Sequence, residues 1–238
     1  MPPVIVDTSL PMQFRPRPLP WSGAAVCLWR LVLSFSLLMG SPGQAWEAQK
    51  LVAAAQKLGP AAVVQAQALT QEIAEAASQD EVTRLKTINR FFNKRVEYED
   101  DRDVWGVIDY WASPLEALNK GSGDCEDYAI GKYFSLMAAG VSGAKMRLVY
   151  VRADVGGAVL AHMVLAYYPE PNAEPLILDN LISDIRPASR RPDLAPVFSF
   201  NAEGLWQGVG STTAGDPVAR LSRWRDVLTR TRAEGWWK

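Results

Sequence analysis

The stretch Gly121-Ser122-Gly123-Asp124-Cys125-Glu126-Asp127-Tyr128 carries the main structural signal of this sequence. Asp124 is suited to cap a helix, and residues 129–139 are almost all apolar or aromatic, which predicts a buried helix that ends at Gly140. Cys125 therefore belongs to the first turn of a central helix. Unpaired backbone N–H groups and the helix dipole favour a thiolate there. The same N–H groups can stabilise an oxyanion, so this helix start can support nucleophilic catalysis by cysteine.

Composition restricts the functions that the chain can have. Its 238 residues include 25 Lys and Arg against 26 Asp and Glu, so a formal charge of −1 gives no electrostatic support for nucleic-acid binding. The 48% hydrophobic content is that of an ordinary globular domain. The sequence contains two cysteines, Cys27 and Cys125, and one histidine, His162. A structural zinc site needs about four such ligands and is excluded.

The N-terminal segment is typical of an export signal. Three arginines precede a short apolar run, Leu31–Gly40, and Gly43-Gln44-Ala45 supplies the small residues that a signal peptidase reads. We therefore predict that residues 1–45 are a cleaved signal peptide and that Trp46 lies near the mature N-terminus. The alternative is an uncleaved membrane anchor over residues 23–40, whose length is marginal for a span and whose middle carries an arginine.

Removal of the signal peptide leaves Cys125 without a disulfide partner. Cys27 is lost with the leader, and residues 46–238 form one predicted domain with a sizeable core. A single thiol in a compartment where disulfides normally form suggests a chemical role. The alternative is a buried cysteine that packs as a small apolar residue.

The remaining pattern predicts helices followed by antiparallel strands, which is an α+β fold. A capping-box pattern at Ser78-Gln79-Asp80-Glu81 starts one helix, and Ser113 followed by Pro114 starts another. Residues 183–218 are rich in Pro, Gly, Ser and Thr and are predicted to be mostly loop. The predicted helices are 46–78 with a break at Gly59-Pro60, 79–95, a short helix from Ser113, and 221–237; the predicted strands are 146–152, 159–168, 176–179 and a short one near 197–200.

Pairing of two of these strands predicts a catalytic arrangement. If Val159–Tyr168 and Leu176–Leu181 run antiparallel, the register that buries an apolar face sets His162 opposite Asp179. Asp179 can then accept a hydrogen bond from one ring nitrogen while the other nitrogen faces Cys125, which is a Cys-His-Asp triad. Without this pairing, Asp179 is equally consistent with an ordinary aspartate at a strand end.

An ordered set of motifs resembles the bacterial transglutaminase-like cysteine peptidases of the LapG type. The match covers about residues 80–206, and its motifs are Tyr110-Trp111-Ala112-Ser113-Pro114-Leu115-Glu116, Gly123-Asp124-Cys125-Glu126-Asp127, Leu148-Val149-Tyr150-Val151, Ala161-His162-Met163-Val164-Leu165-Ala166-Tyr167, Pro175-Leu176-Ile177-Leu178-Asp179-Asn180 and Arg191-Pro192-Asp193-Leu194.

This resemblance implies a papain-like α+β fold with Cys125 as nucleophile, His162 as base and Asp179 as the acid that orients the imidazole. It also implies a periplasmic protease that cleaves a large RTX-type surface adhesin near its N-terminus and so releases cells from a biofilm. The implied regulator is the periplasmic domain of an inner-membrane receptor for cyclic di-GMP. Neither a nucleic-acid partner nor stable membrane insertion after signal cleavage is expected.

The resemblance further implies calcium bound by Asp124 and Glu126. Two carboxylates beside Cys125 oppose its ionisation, whereas a bound Ca²⁺ would neutralise them. Calcium prefers 6–8 oxygen ligands, so backbone carbonyls, water or acids within residues 97–103 would have to complete the site. The alternative is that Asp124 and Glu126 only complement the helix dipole.

Two other functions remain open at this point. A true transglutaminase would form the same thioester and pass the acyl group to an amine instead of water. A catalytically silent module would bind an adhesin segment or a receptor without cleaving it.

Overall fold

An antiparallel sheet of seven strands packed against helices dominates the part of the chain that the structure describes. The computed structural model describes residues 46–237. The predicted signal peptide, residues 1–45, lies outside these described residues, as does Cys27. Within the described range, no helix is both long enough and apolar enough to cross a membrane.

The described residues form eight α-helices, two short 3-10 helices and nine strands. This mixture confirms the predicted α+β class. The helices are α1 (Ala48–Leu58), α2 (Pro60–Ala77), α3 (Glu81–Arg95), α4 (Asp101–Val104), α5 (Pro114–Lys120), α6 (Cys125–Ala138), α7 (Pro217–Arg220) and α8 (Ser222–Glu234); the strands are β1 (Glu97–Tyr98), β2 (Ser122–Gly123), β3 (Met146–Val155), β4 (Ala158–Tyr167), β5 (Leu176–Leu178), β6 (Arg186–Pro187), β7 (Leu194–Phe200), β8 (Leu205–Gln207) and β9 (Thr213–Gly215).

Local sequence explains where the first three helices begin. Gly59, with φ of 112°, separates α1 from α2, and Pro60 occupies the first position of α2, as predicted. The predicted cap of α3 is wrong, because Asp80 and not Ser78 caps this helix. The Asp80 carboxylate accepts both the Thr83 N–H at 3.0 Å and the Thr83 hydroxyl at 2.6 Å, and a charged acceptor also complements the helix dipole.

The large sheet has the strand order β6-β5-β4-β3-β7-β8-β9. Its centre is a hairpin of β3 and β4, ten residues each, which turns at Gly156 and Gly157 with positive φ at both. The loop prediction for residues 183–218 is wrong in part, because β6 to β9 lie there. These strands are short, and Pro196 of β7 pairs with Val151 beside a register shift, where a sheet tolerates proline.

Helix α6 lies between the sheet and α3, and its first residue, Cys125, lies against β4. Its close approach to α3 requires a glycine, since a Cβ at Gly131 would lie 2.3 Å from Cε1 of Phe92. The helix is buried along almost its whole length and belongs to the main hydrophobic core, as predicted. A helix packed on several sides is a rigid support for a functional group at its first residue.

Candidate active site

Cys125 is the first residue of α6 and is partly exposed. Its sulfur donates a hydrogen bond to Oε2 of Glu126 at 3.0 Å, and the backbone N–H of Met163 in β4 points at the same sulfur. The approach to the helix is tight, because a Cβ at Gly123 would lie 2.5 Å from Oδ2 of Asp127. A glycine is therefore required at position 123, between β2 and α6. The Met163 contact places Cys125 against β4.

The electrostatic surroundings of Cys125 oppose its ionisation. Burial, and then the charges of Glu126 and Asp124, raise the pKa of the thiol well above its ordinary value. The Met163 N–H acts in the opposite direction but is outweighed. The prediction that the helix start favours a thiolate is therefore incomplete, because burial and the two neighbouring carboxylates outweigh the effect of the helix start on the thiol.

His162 and Asp179 meet as the triad prediction requires. Nε2 of His162 lies 2.8 Å from Oδ1 of Asp179, and both side chains are buried. Oδ1 also accepts the backbone N–H groups of Asn180 at 2.7 Å and Leu181 at 3.2 Å. Because Nε2 is occupied by Asp179, Nδ1 is the ring nitrogen that remains for the sulfur.

The register that led to this prediction is wrong by two residues. The observed pairing sets Leu165 opposite Leu178 and Ala166 opposite Ile177, whereas the predicted register sets Val164 opposite Ile177. A shift of two residues leaves every side chain on its predicted face, so His162 and Asp179 become diagonal instead of direct neighbours. Their side chains still meet because β5 ends at Leu178 and the chain turns at Asp179.

Arg191 is a site residue that the sequence reasoning did not identify. It is 2% exposed, and its Nη2 lies 2.6 Å from Oδ2 of Asp179 and 2.7 Å from Oδ2 of Asp193. Burial alone would raise the pKa of Asp179, but the hydrogen bonds and charges of His162 and Arg191 lower it to about 2. Asp179 is therefore ionised when it holds His162. The only sequence signal was Arg191-Pro192-Asp193 among the family motifs, since an arginine is exposed by default.

A cluster of carboxylates lies beside Cys125. It includes the predicted metal ligands Asp124 and Glu126 and adds Asp101, Asp109 and Asp127, which the fold brings from α4, the following loop and α6. Groups of three ligand atoms in this cluster lie within 4.8 Å of one another. Asp101 falls in the acidic range expected to complete a site, whereas Asp127 was not predicted.

The unpaired oxygens of this cluster suit a hard cation. Oδ1 of Asp101, Oδ1 of Asp124 and Oδ2 of Asp127 are buried and have no hydrogen-bond partner. Burial raises the pKa of Asp124, and the neighbouring Glu126 carboxylate raises it further. Buried carboxylate oxygens without a donor are costly, and a divalent cation with a preference for oxygen ligands would satisfy them. The residues present therefore fit calcium.

Comparison with models of known protein families shows to which family this chain belongs. The model of a family described as bacterial transglutaminase-like cysteine proteinase (BTLCP) matches residues 62–193, more than half of the chain. The chain belongs to this family. It is thus a transglutaminase-like cysteine proteinase by descent, as predicted.

Solved structures of Legionella pneumophila LapG are similar to this transglutaminase-like proteinase. An EGTA-treated LapG is 41% identical with a TM-score of 0.69, and the match covers 77% of this chain and 97% of that chain. A calcium-bound LapG is 39% identical with a TM-score of 0.67, covering 78% and 99%. A search of curated proteins found no match. These similarities confirm the predicted fold.

Proposed function

We propose that this protein is a calcium-dependent cysteine endopeptidase with Cys125 as nucleophile, His162 as general base and acid, and Asp179 as the residue that orients the imidazole. One observation carries the proposal. Met163, whose N–H points at the Cys125 sulfur, directly follows His162, whose ring is held by Asp179. The nucleophile at the start of α6 therefore faces the same short segment of β4 that carries the base.

The reaction is acyl transfer from a peptide to water. His162 accepts the thiol proton of Cys125, the resulting thiolate attacks the scissile carbonyl, and the N–H groups at the start of α6 stabilise the oxyanion. His162 protonates the leaving amine and then activates the water that hydrolyses the thioester. Asp179 fixes the imidazole tautomer and stabilises the imidazolium. Arg191 keeps Asp179 ionised and in place, so it is a positioning residue.

Calcium is proposed to act on the ionisation of Cys125. Asp124 and Glu126 would hold the ion, with the unpaired oxygens of Asp101 and Asp127 as further candidate ligands. When bound, the ion supplies positive charge that removes the like-charge repulsion at the sulfur. The existence of a calcium-bound form of the similar LapG protein supports this choice of metal.

We further propose that the enzyme acts in the periplasm on the N-terminal region of a large RTX-type surface adhesin, which releases the adhesin and disperses biofilm. The regulator proposed for it is the periplasmic domain of an inner-membrane cyclic di-GMP receptor. Membership of the family, the ordered motifs and the predicted export signal at residues 1–45 support this role.

A cleavage assay tests the enzymatic proposal. A recombinant N-terminal adhesin fragment is incubated with calcium and with wild type, Cys125→Ala, Asp179→Asn or Asp184→Asn. We expect cleavage by wild type, none by Cys125→Ala, and a loss of at least about 100-fold for Asp179→Asn, because the wrong imidazole tautomer is then favoured. The Asp184→Asn variant is the matched control. The Asp184 side chain is 77% exposed, so this variant should cleave the fragment as fast as wild type.

The same assay separates the two alternative functions. A product that incorporates an added primary amine, with no hydrolysis, would establish amide transfer. Binding of the fragment without cleavage by any variant would establish a silent binding module. Full activity after thorough EGTA treatment would remove calcium from the proposal and leave the protease role intact.

A further inference from the structure

We propose that the substrate main chain binds beside His162 by adding as an extended strand to the open edge of β4 at Val159 and Ala161. This inference rests on the endopeptidase function proposed above and states how the peptide is held. Its occupant is an extended segment of the polypeptide substrate, recognised through its backbone amides. Three features of the β3–β4 hairpin support it.

The first feature is that half of β4 is paired on one side only. β3 pairs with β4 from Ala158 to Tyr167, but β5 covers only Leu165 to Tyr167. Among the described residues, no other backbone hydrogen bond reaches residues 158–162 from the β5 side. The pairing stops because the Asp179 carboxylate accepts the N–H groups of Asn180 and Leu181, which turns the chain away from β4. The orienting acid of the triad thus also creates the open edge.

The second feature is the direction of the backbone groups along this edge. The N–H of Tyr168 donates to the carbonyl of Lys145 at 2.7 Å, on the β3 side. Backbone groups alternate in an antiparallel strand, so even-numbered residues of β4 face β3 and odd-numbered residues face away. The N–H of Met163, which points at the Cys125 sulfur, agrees with this alternation. Val159 and Ala161 therefore direct their N–H and C=O groups outward.

The third feature is that the edge lacks the usual protection against pairing. Residues 158–162 read Ala-Val-Leu-Ala-His and contain no lysine, no proline and no bulge. Val159 is 66% exposed and Leu160 is 52% exposed, whereas His162 is 5% exposed. A flat, uncharged, exposed edge is a template for another strand, and soluble proteins normally block such edges. Here the exposed edge ends at His162, the proposed general base.

Position connects this edge to the chemistry. Ala161 is two residues from Met163, so its outward groups lie about 7 Å along the strand from the peptide that faces the sulfur. A peptide paired with Val159 and Ala161 therefore continues into the space beside Cys125 and His162. Main-chain pairing of this kind supplies affinity without large side chains on the substrate.

Amide hydrogen exchange measured by NMR tests the proposal. Cys125→Ala protein with calcium is compared free and saturated with the adhesin fragment of the cleavage assay. We expect the N–H groups of Val159 and Ala161 to exchange at least about tenfold more slowly in the complex. The N–H of Leu160 faces β3 and is the internal control, so its rate should not change. Peptides that span the cut site, each with one N-methylated amide, should lose affinity at every second residue.

The outcomes separate this inference from the function on which it rests. If wild type cleaves the fragment but Val159 and Ala161 gain no protection, the strand-addition inference is wrong and the protease remains. If the fragment is neither bound nor cleaved, both fall. If these two amides are already protected in the free protein and become exposed on dilution, the edge pairs with a second copy of the chain and the inference is overturned.

Discussion

At the scale of single residues, Lys132 is the least expected side chain in the molecule. It lies on α6, is fully buried, and its Nζ has no hydrogen-bond partner. Burial lowers its pKa to about 7, and the charge of Asp179 opposes this shift only in part. The centre of the Tyr128 ring lies 5.6 Å from Nζ and offers weak compensation. A buried amine of this kind costs stability whenever it carries a proton.

Replacement of Lys132 by methionine should therefore stabilise the protein in a pH-dependent way. The unfolded lysine holds its proton up to about pH 10.4. The folded one loses it near its pKa of about 7, so wild-type stability rises with pH between these values. At pH 7 the Lys132→Met variant should be more stable by about 1–4 kcal/mol, and this advantage should shrink toward pH 10. Urea denaturation at pH 7, 8.5 and 10 measures it.

The exposed change Lys86→Met on α3 is the control for adding a methionine, and it should leave stability nearly unchanged at each pH. Parallel stability curves for wild type and Lys132→Met across this range would contradict the expected burial of a neutral amine.

At the scale of elements, the C-terminal helix α8 holds residues 111–116, which connect Asp109 of the acidic cluster to its members on α6. The Ser113 hydroxyl donates to Glu234 at 2.6 Å, and Arg230 pairs with Glu116 at 3.0 Å and donates to the carbonyl of Trp111. The adjacent Ala112 N–H then donates to Asp127 at 2.7 Å. A helix near the end of the chain thus fixes a carboxylate of the candidate metal site.

Ser113 has two roles in this arrangement, so its removal should be costly. Its hydroxyl caps α5 by accepting the Glu116 N–H at 3.1 Å and also satisfies the buried Glu234. Ser113→Ala should lower the free energy of unfolding by about 1–2 kcal/mol, since both a cap and a buried hydrogen bond are lost. Thermal and urea denaturation measure the loss. Ser78→Ala, which removes a hydroxyl bonded to Glu75 on the surface, is the matched control and should change it by less than about 0.5 kcal/mol.

The elements also show what the sequence could and could not predict. Strong local signals, namely the break at Gly59, the Ser113 capping box and the β-rich runs on either side of Gly156-Gly157, placed those elements correctly. Strands of two or three residues, such as β6 and β9, are too short to show a hydrophobic periodicity in the sequence. They form only because a neighbouring strand pairs with them. The His162–Asp179 contact was predicted from a wrong register, because only the face mattered and an even shift preserves the face.

Contacts between charged residues that are far apart in the sequence were the least predictable feature of the candidate site. The burial of Arg191 against Asp179 depends on a loop that returns to the sheet after β6. Asp101 and Asp127 are separated by 26 positions in the sequence, yet their oxygens lie in one cluster with Asp124. No periodicity links such residues, so only the folded chain brings them together.

At the scale of the whole molecule, this cluster joins three separate segments through carboxylates that repel one another. Asp101 comes from α4, Asp109 from the loop that follows it, and Asp124 from the start of α6. Their mutual repulsion favours separation of the segments, whereas a shared cation would hold them together. Metal binding should therefore stabilise the fold as well as the active site.

Calcium should raise the melting temperature of the protein measurably. At a calcium concentration 100 times the dissociation constant, binding to the folded state adds about 2.7 kcal/mol, which for a chain of this size corresponds to about 5–10 °C. Scanning calorimetry with excess calcium and with EGTA measures the shift. Asp124→Asn should abolish most of it, whereas Asp103→Asn, an exposed change on α4 outside the cluster, should retain it. Equal melting temperatures with calcium and with EGTA would show that the carboxylates are not joined by this ion, because any ligand that prefers the folded chain must stabilise it.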